Sequence, residues 1–329
     1  MPLRMRFAEG DLLRCRFAVS PLCETHEAVR TLLRPARHAY HQAWLRRSRP
    51  ALAALDLAPL TLVMPVRGYT PDFLAPPPES PFGRTADFAD ELTRLRGTDP
   101  ELALEEIRRS FASTGADVAV PARRALLADP AAAVRVLADA TERAWRALVA
   151  PDWPRLSDVL EADIGVRSQR LAEGGLQALF ADLHPDVRWA DGMLALRGGS
   201  ADLDQHLAGR GLLLVPSVFA WPDTISGFAP SWQPTVIYPA RGAARAWQPP
   251  LRPPADSLAR LLGASRAGIL AALDEPASTT TLAGRHGLAP STVSAHLGVL
   301  RDAGLVTARR RGHEVLYRRT ALGSALRGA

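Results

Sequence analysis

The chain has 329 residues, 47% of them hydrophobic, and a formal net charge of +6 from 40 basic and 34 acidic residues. That is enough apolar residue for one large core or two to three smaller ones, and it marks a globular protein. The longest apolar run, residues 51–66, is broken by Asp56, Pro59 and Pro65, which excludes a bilayer-spanning helix.

Every basic residue is arginine, lysine and asparagine are absent, and isoleucine is scarce. This is the codon signature of a GC-rich genome, so arginine content alone does not point to a partner. Its placement does. Residues 251–329 hold 11 Arg against 5 Asp plus Glu, while residues 1–250 hold 29 of each. A neutral body with a basic C-terminal module is the charge pattern of a nucleic-acid binder.

The start of the chain lacks an apolar leader core, so a cytoplasmic protein is expected. Cys15 and Cys23 are the only cysteines, which fits a reducing compartment. With only His26 nearby they make a poor metal set, so no metal and no cofactor are expected.

In chain order, residues 6–17 alternate loosely and read as a strand or an irregular opening. Ser20 followed by Pro21 and Glu24 predicts a capped helix start. That helix runs toward Pro35, and a second helical piece spans 36–47. His38 and His41 on this arginine-rich piece are expected to be solvated or to face a partner. The prolines at 71, 76, 77, 78 and 81 fix an extended loop. Helices are predicted over 85–96, 100–113, 121–128, 130–149 and 156–183, the last bending near Gly165 or Gly174-Gly175.

From Val187 the period shifts toward two. Residues 187–190 and 193–197 around Asp191-Gly192 read as a hairpin with a primed turn, and 211–221 and 234–238 read as further strands. Trp189, Trp221, Trp232 and Trp247 fall in this region and are expected as packing surface, with an apolar effector pocket as the alternative. His184 with Asp186, and Asp202, Asp204 and His206, are read as solvated turns. The prolines at 249, 250, 253 and 254 predict a semi-rigid linker over 248–255.

The basic module carries the functional signal. Val293, Leu297, Leu300 and Gly304 recur on one side of a predicted helix, which anchors it to a core. Ser291, Ser294, Ala295 and Gly298 form a small outer face able to enter a major groove. The runs 305–309 and 314–319, joined by Arg310, Arg311, Gly312 and His313, read as a basic hairpin, the wing of a winged helix. Ser291, Thr292, Ser294, Ala295 and His296 are expected at bases or backbone and Thr280 at phosphate. Arg301, Arg309, Arg310, Arg311 and His313 would supply charge.

Residues 258–320 resemble the ArsR-type winged helix of bacterial transcriptional regulators. Leu258, Leu261, Leu262, Ile269 and Leu273 mark the first helix, residues 278–287 the second, LAPSTVSAHLGVLRDAGLV the recognition helix and RRRGHEVLYR the wing. The resemblance implies a DNA-binding regulator, and one recognition helix reads so few base pairs that a homodimer on a pseudo-palindrome is expected.

Three departures stand out. The metal-sensing members' cysteine pair is missing from 280–286, Ala289 stands where serine commonly precedes the proline, and Gly298 replaces a common basic residue. The body, with FAVSPL, TPDFLAPP, GRGLLLVPSVF and PTVIYPARG, is similar to an uncharacterised domain that precedes such winged helices in high-GC bacteria.

The expected architecture is α+β: residues 1–247 form a regulatory, dimer-supporting body, helical over 20–184 and β-rich over 187–240, and residues 256–329 form the winged helix. Double-stranded DNA and a second copy are the expected partners, without a membrane, and whether the body also takes a small-molecule effector stays open. The alternative is an enzyme with an appended winged helix. No dinucleotide, Walker, zinc-protease or nucleophile-elbow motif supports it, and no catalytic residue is assigned.

Overall fold

The computed structural model describes residues 3–78, 87–197, 203–226, 232–247, 255–274, 276–311 and 314–328. The chain divides into two compact units, residues 1–247 and 248–329. The fold is α+β.

The body opens with β1 (Leu3–Arg6), a single helical turn α1 (Glu9–Leu12) and β2 (Arg16–Phe17). Helix α2 (Pro21–Leu33) starts where Ser20 and Pro21 predict, with Ser20 Oγ accepting from Cys23 N at 3.0 Å. The second piece departs from expectation. After 3₁₀ turns at Pro35–Arg37 and Ala39–His41, the α-helix α3 covers Gln42–Ala53 and α4 covers Ala58–Val63. His38 and His41 are buried, not solvated.

Helices α5 (Phe88–Arg96), α6 (Pro100–Thr114), α7 (Pro121–Ala128), α8 (Pro130–Ala144) and α9 (Trp153–Phe180) follow, the last four with a proline in the first turn and α5, α6 and α8 with aspartate N-caps. A single π-turn at Trp145–Val149 ends the segment expected as one helix over 130–149. The bend in α9 lies at Gly174-Gly175, where Gly175 takes φ 64°, and not at Gly165.

The strand region holds β3 (Val187–Ala190), β4 (Met193–Leu196), β5 (Leu203–His206), β6 (Leu213–Ser217), β7 (Ile225–Ser226) and β8 (Thr235–Pro239). Asp191 and Gly192 have φ of 50° and 71°, the primed hairpin turn the dipeptide predicts. These strands form two separate sheets, ordered β3-β4-β1-β5 and β2-β6-β8-β7, so each borrows a strand from the N-terminal segment. β1 pairs antiparallel with β4 and parallel with β5, while β2, β6 and β8 are mutually parallel neighbours.

The readings of His184 and of the group Asp202, Asp204 and His206 as solvated turns are therefore corrected, while Asp186 does lie in a turn. Residues 203–206 are a strand and Asp204 binds Arg6 at 2.8 Å. His184 is buried, with Nε2 3.1 Å from Pro222 O. Asp202 lies outside the described residues.

In the body, close backbone approach selects Gly211. Gly211 has φ 66°, its N–H donates to the buried carboxylate of Asp11 at 2.9 Å, and a Cβ there would stand 2.3 Å from Arg14 O.

The tryptophans do not gather around one point. Trp189 packs against Phe7 and Phe180, Trp232 donates to Glu106 at 2.9 Å, and Trp247 packs with Trp44 and Phe219. Cys15 is half-buried and Cys23 buried, both as free thiols. No helix among the described residues is long and apolar enough to cross a membrane.

Candidate nucleic-acid interface

In the C-terminal unit the run expected as one first helix is two, α10 (Ala255–Leu262) and α11 (Ala264–Ala271), broken at Gly263 with φ 85°. Leu258 and Leu262 pack toward the core, but Leu261 is exposed. A short strand β9 (Ala277–Ser278) leads into α12 (Thr279–His286), capped by Ser278 Oγ accepting from Thr281 N at 3.3 Å. Thr280 is exposed in its first turn.

The end of α12 turns the chain sharply. Gly287 takes φ 62° and Leu288 N donates to Ala283 O at 3.1 Å, the six-to-one closure of a Schellman turn. Only Gly287, Leu288 and Ala289 separate α12 from α13 (Pro290–Asp302), and the two helices pack on each other. Its buried side is Val293, Leu297 and Leu300, packed with Ile269, Leu270, Leu282, Leu305 and Val306. That is the predicted stripe without Gly304, which is exposed at φ 72° and ends the helix by a second turn of the same kind, Leu305 N to Leu300 O at 2.8 Å. No side chain caps α13, as expected of Ala289.

The outward side carries Ser291, Thr292, Ser294 and Ala295, all exposed, while His296 is half-buried on the flank. Arg301 is exposed with its guanidinium Nε 3.6 Å from Asp302. Sequence reading missed Asp302, which lies about one helical turn beyond Gly298 and sets an exposed carboxylate at the C-terminal end of the helix. It also missed the exposed Val299.

Strands β10 (Val306–Arg311) and β11 (Glu314–Arg319) form the wing, with β9 along the outer edge of β11. Arg310 and Arg311 belong to β10, paired with Val315 and Glu314, and are not part of the connection. Only Gly312 and His313 connect the strands, and both lie outside the described residues.

This changes how the arginines are grouped, because neighbours along a strand point to opposite faces. The face marked by buried Val306 and half-buried Tyr317 is the one on which Arg310 sits farther out. Thr307, Arg309 and Arg318 share the other face, since Thr307 is directly opposite Arg318, and all three are exposed. Arg318 is thus an exposed basic neighbour of Arg309, a position that two-residue alternation could have found. Arg319 is spent internally, on Asp274 and, at 3.4 Å, on Leu270 O. The unit closes with α14 (Ala321–Gly328), where Thr320 Oγ1 accepts from Gly323 N at 3.0 Å.

Two helices joined by a three-residue turn that opens on glycine, with a basic two-stranded wing after the second, decide the class of this unit. Residues 261–309 also match the family described as "Helix-turn-helix domain". The C-terminal unit is a helix-turn-helix domain. In such a domain the second helix enters the major groove of DNA, and here that helix is α13.

The matched segment of the domain ends at Arg309, so β11 and Arg318 rest on the structure. In the body, residues 106–244 match the "Family of unknown function (DUF5937)". That segment lacks β1 and β2, one strand of each sheet, so the folded unit extends beyond it. Comparison with curated proteins and with solved structures finds no match.

Proposed function

We propose that this chain is a sequence-specific transcriptional regulator of the ArsR type, and not an enzyme. In this reading it acts in the cytoplasm as a homodimer on pseudo-palindromic double-stranded DNA, and residues 1–247 form the regulatory, dimer-supporting body. The observation that carries the reading is the outer face of α13. Ser291, Ser294 and Ala295 are exposed and small, so the helix backbone can approach base edges closely, while Thr280 lies in the exposed first turn of α12. The wing arginines add the sequence-independent attraction to phosphate.

Dimerisation follows from economy of contact. One such helix reads a few base pairs, and two copies one helical turn apart supply usable specificity. The test is binding of the purified full chain to fragments of its own upstream DNA, with the stoichiometry read by analytical ultracentrifugation. Two chains on one protected palindrome are expected. Binding that is indifferent to sequence at all salt concentrations would overturn the proposal.

A further inference from the structure

A small, half-open cavity of about 200 Å³ lies in the body, lined by Tyr40, His41, Trp221, Pro239 and Ala240 and by residues 242–244. Its walls come from three distant segments. The 3₁₀ turn Ala39–His41 gives Tyr40 and His41, the loop after β6 gives Trp221, and the end of β8 with the 3₁₀ turn Ala243–Trp247 gives the rest. Trp221 is held edge-on between Tyr40, at 6.1 Å, and His184, at 5.7 Å. Among the described residues, none that lines the cavity is an acid or an arginine.

His41 supplies the polar feature. Its Nδ1 accepts a hydrogen bond from the indole N–H of Trp247 at 2.7 Å. An indole nitrogen can only donate, so Nδ1 of this ring is unprotonated and a neutral imidazole carries its proton on Nε2. Burial and the neighbouring His38 hold the ring neutral, with its pKa lowered to about 4. Nε2 is buried and has no partner among the described residues. A buried N–H without an acceptor is costly and uncommon, and this one belongs to a ring that forms part of a cavity wall.

Resting on the reading of the chain as a regulator, we propose that this cavity is its effector site, for a neutral, single-ring aromatic molecule bearing a carbonyl or comparable acceptor for His41 Nε2–H. The size fits, since a cavity of about 150 Å³ with apolar walls holds benzene. Trp221 and Tyr40 offer aromatic faces, and with no cation in the wall a carboxylate has no counter-charge. The site also connects to the DNA-binding unit along the chain. The wall segment Ala243–Trp247 ends at the residue His41 grips, and Trp247 is the last residue of the body before the proline-rich 248–255. A ligand that engages His41 acts on the anchor of that connection.

The experiment is calorimetric titration of the full chain with acetophenone, ethylbenzene and benzoate, followed by DNA titration in saturating acetophenone. Acetophenone should bind at one site and benzoate at least tenfold more weakly. In His41→Phe the ratio of acetophenone to ethylbenzene affinity should fall about tenfold, because only the carbonyl uses Nε2–H. Ala243→Phe, which fills the cavity, should abolish binding, and Tyr40→Ala, at an exposed rim, should weaken it about tenfold while leaving the fold intact.

In the DNA arm, acetophenone should change affinity at least fivefold in the wild type and leave Ala243→Phe unmoved. Failure of acetophenone to bind, or an affinity ratio unchanged by His41→Phe, overturns the site. Ligand binding with DNA affinity unchanged overturns the effector role and leaves the regulator standing. Ligand binding by a chain that does not bind DNA overturns the regulator, and the effector role with it.

Discussion

The carboxylate of Glu24, in the first turn of α2, accepts the backbone N–H of Val218 just beyond β6, its two oxygens 3.0 and 3.2 Å from that nitrogen, and it is fully buried. Burial, only partly offset by Ser217 and the Val218 N–H, raises its pKa from 4.5 to about 8. Glu91, which accepts from Ser20 Oγ and Leu22 N, is raised to about 7, again by burial. His26, 3.1 Å from Thr141 Oγ1, is lowered from 6.5 to about 3.

These shifts set opposite slopes. Between pH 4.5 and about 8 the folded body holds carboxyl protons that the unfolded chain has released, so stability falls as pH rises. Below pH 6.5 the unfolded chain binds imidazole protons that the folded body refuses at His26 and His41, so stability falls as pH drops. Glu27, Glu106 and Asp163 are raised as well. The thermal midpoint of the body should therefore peak on the acid side of neutrality. Glu24→Gln should flatten the alkaline limb, and an unchanged pH profile for that variant would contradict the burial argument.

The outer face of α13 predicts a clean separation of binding from folding. Ser294→Glu with Ala295→Glu places two carboxylates against phosphate while Val293 and Leu297 stay packed. DNA affinity should fall by roughly 100-fold or more, since like charges at an interface cost several kcal/mol, with the thermal midpoint changed little. Retained affinity would mean that another face meets the groove.

In the wing, the pairing register separates arginines that adjoin in sequence. Arg309→Ala and Arg318→Ala act on one face and should each reduce the slope of log affinity against log salt by up to about 0.9. Arg310→Ala, on the other face, should have a different and smaller effect. Arg319→Ala removes the tie to Asp274 and Leu270 and should lower the stability of the helix-turn-helix unit. Equal salt slopes for Arg309→Ala and Arg310→Ala would show that the wing does not present one face to the backbone.

Gly211→Ala should destabilise the body by at least about 2 kcal/mol, because a left-handed φ costs roughly 1–2 kcal/mol in a non-glycine residue and the added Cβ also meets Arg14 O. Urea unfolding followed at the body's own transition measures it. A midpoint equal to that of the wild type would show that the Arg14 segment gives way freely.

Local signals carried most of what the sequence revealed. The stripe Val293, Leu297, Leu300, the Asp191-Gly192 turn and the proline starts of α6, α7 and α8 each follow from neighbours a few residues apart. What stayed hidden depended on distant partners. Nothing near His41 announces Trp247, 206 residues on, and arginine-rich surroundings made that helical segment look solvated. The parallel pairing of β2 with β6 and of β1 with β5 leaves no local trace either, because each strand contributes only a few residues. In the wing, the candidate arginines were visible but their faces were not, since a face is defined only once the register is known.

The position of β1 between β4 and β5 shapes the birth of the protein. Leu3 and Met5, buried in the folded body, cannot be covered on both sides until synthesis has passed from Arg6 all the way to His206. At about 5–20 residues per second that interval lasts roughly 10–40 s. During it the ribosome holds a nascent chain in which β1 waits for partners, a natural client for chaperones that shield apolar segments. The helix-turn-helix unit, whose core among the described residues spans Leu258 to Leu326, has no such wait and can close as soon as α14 emerges.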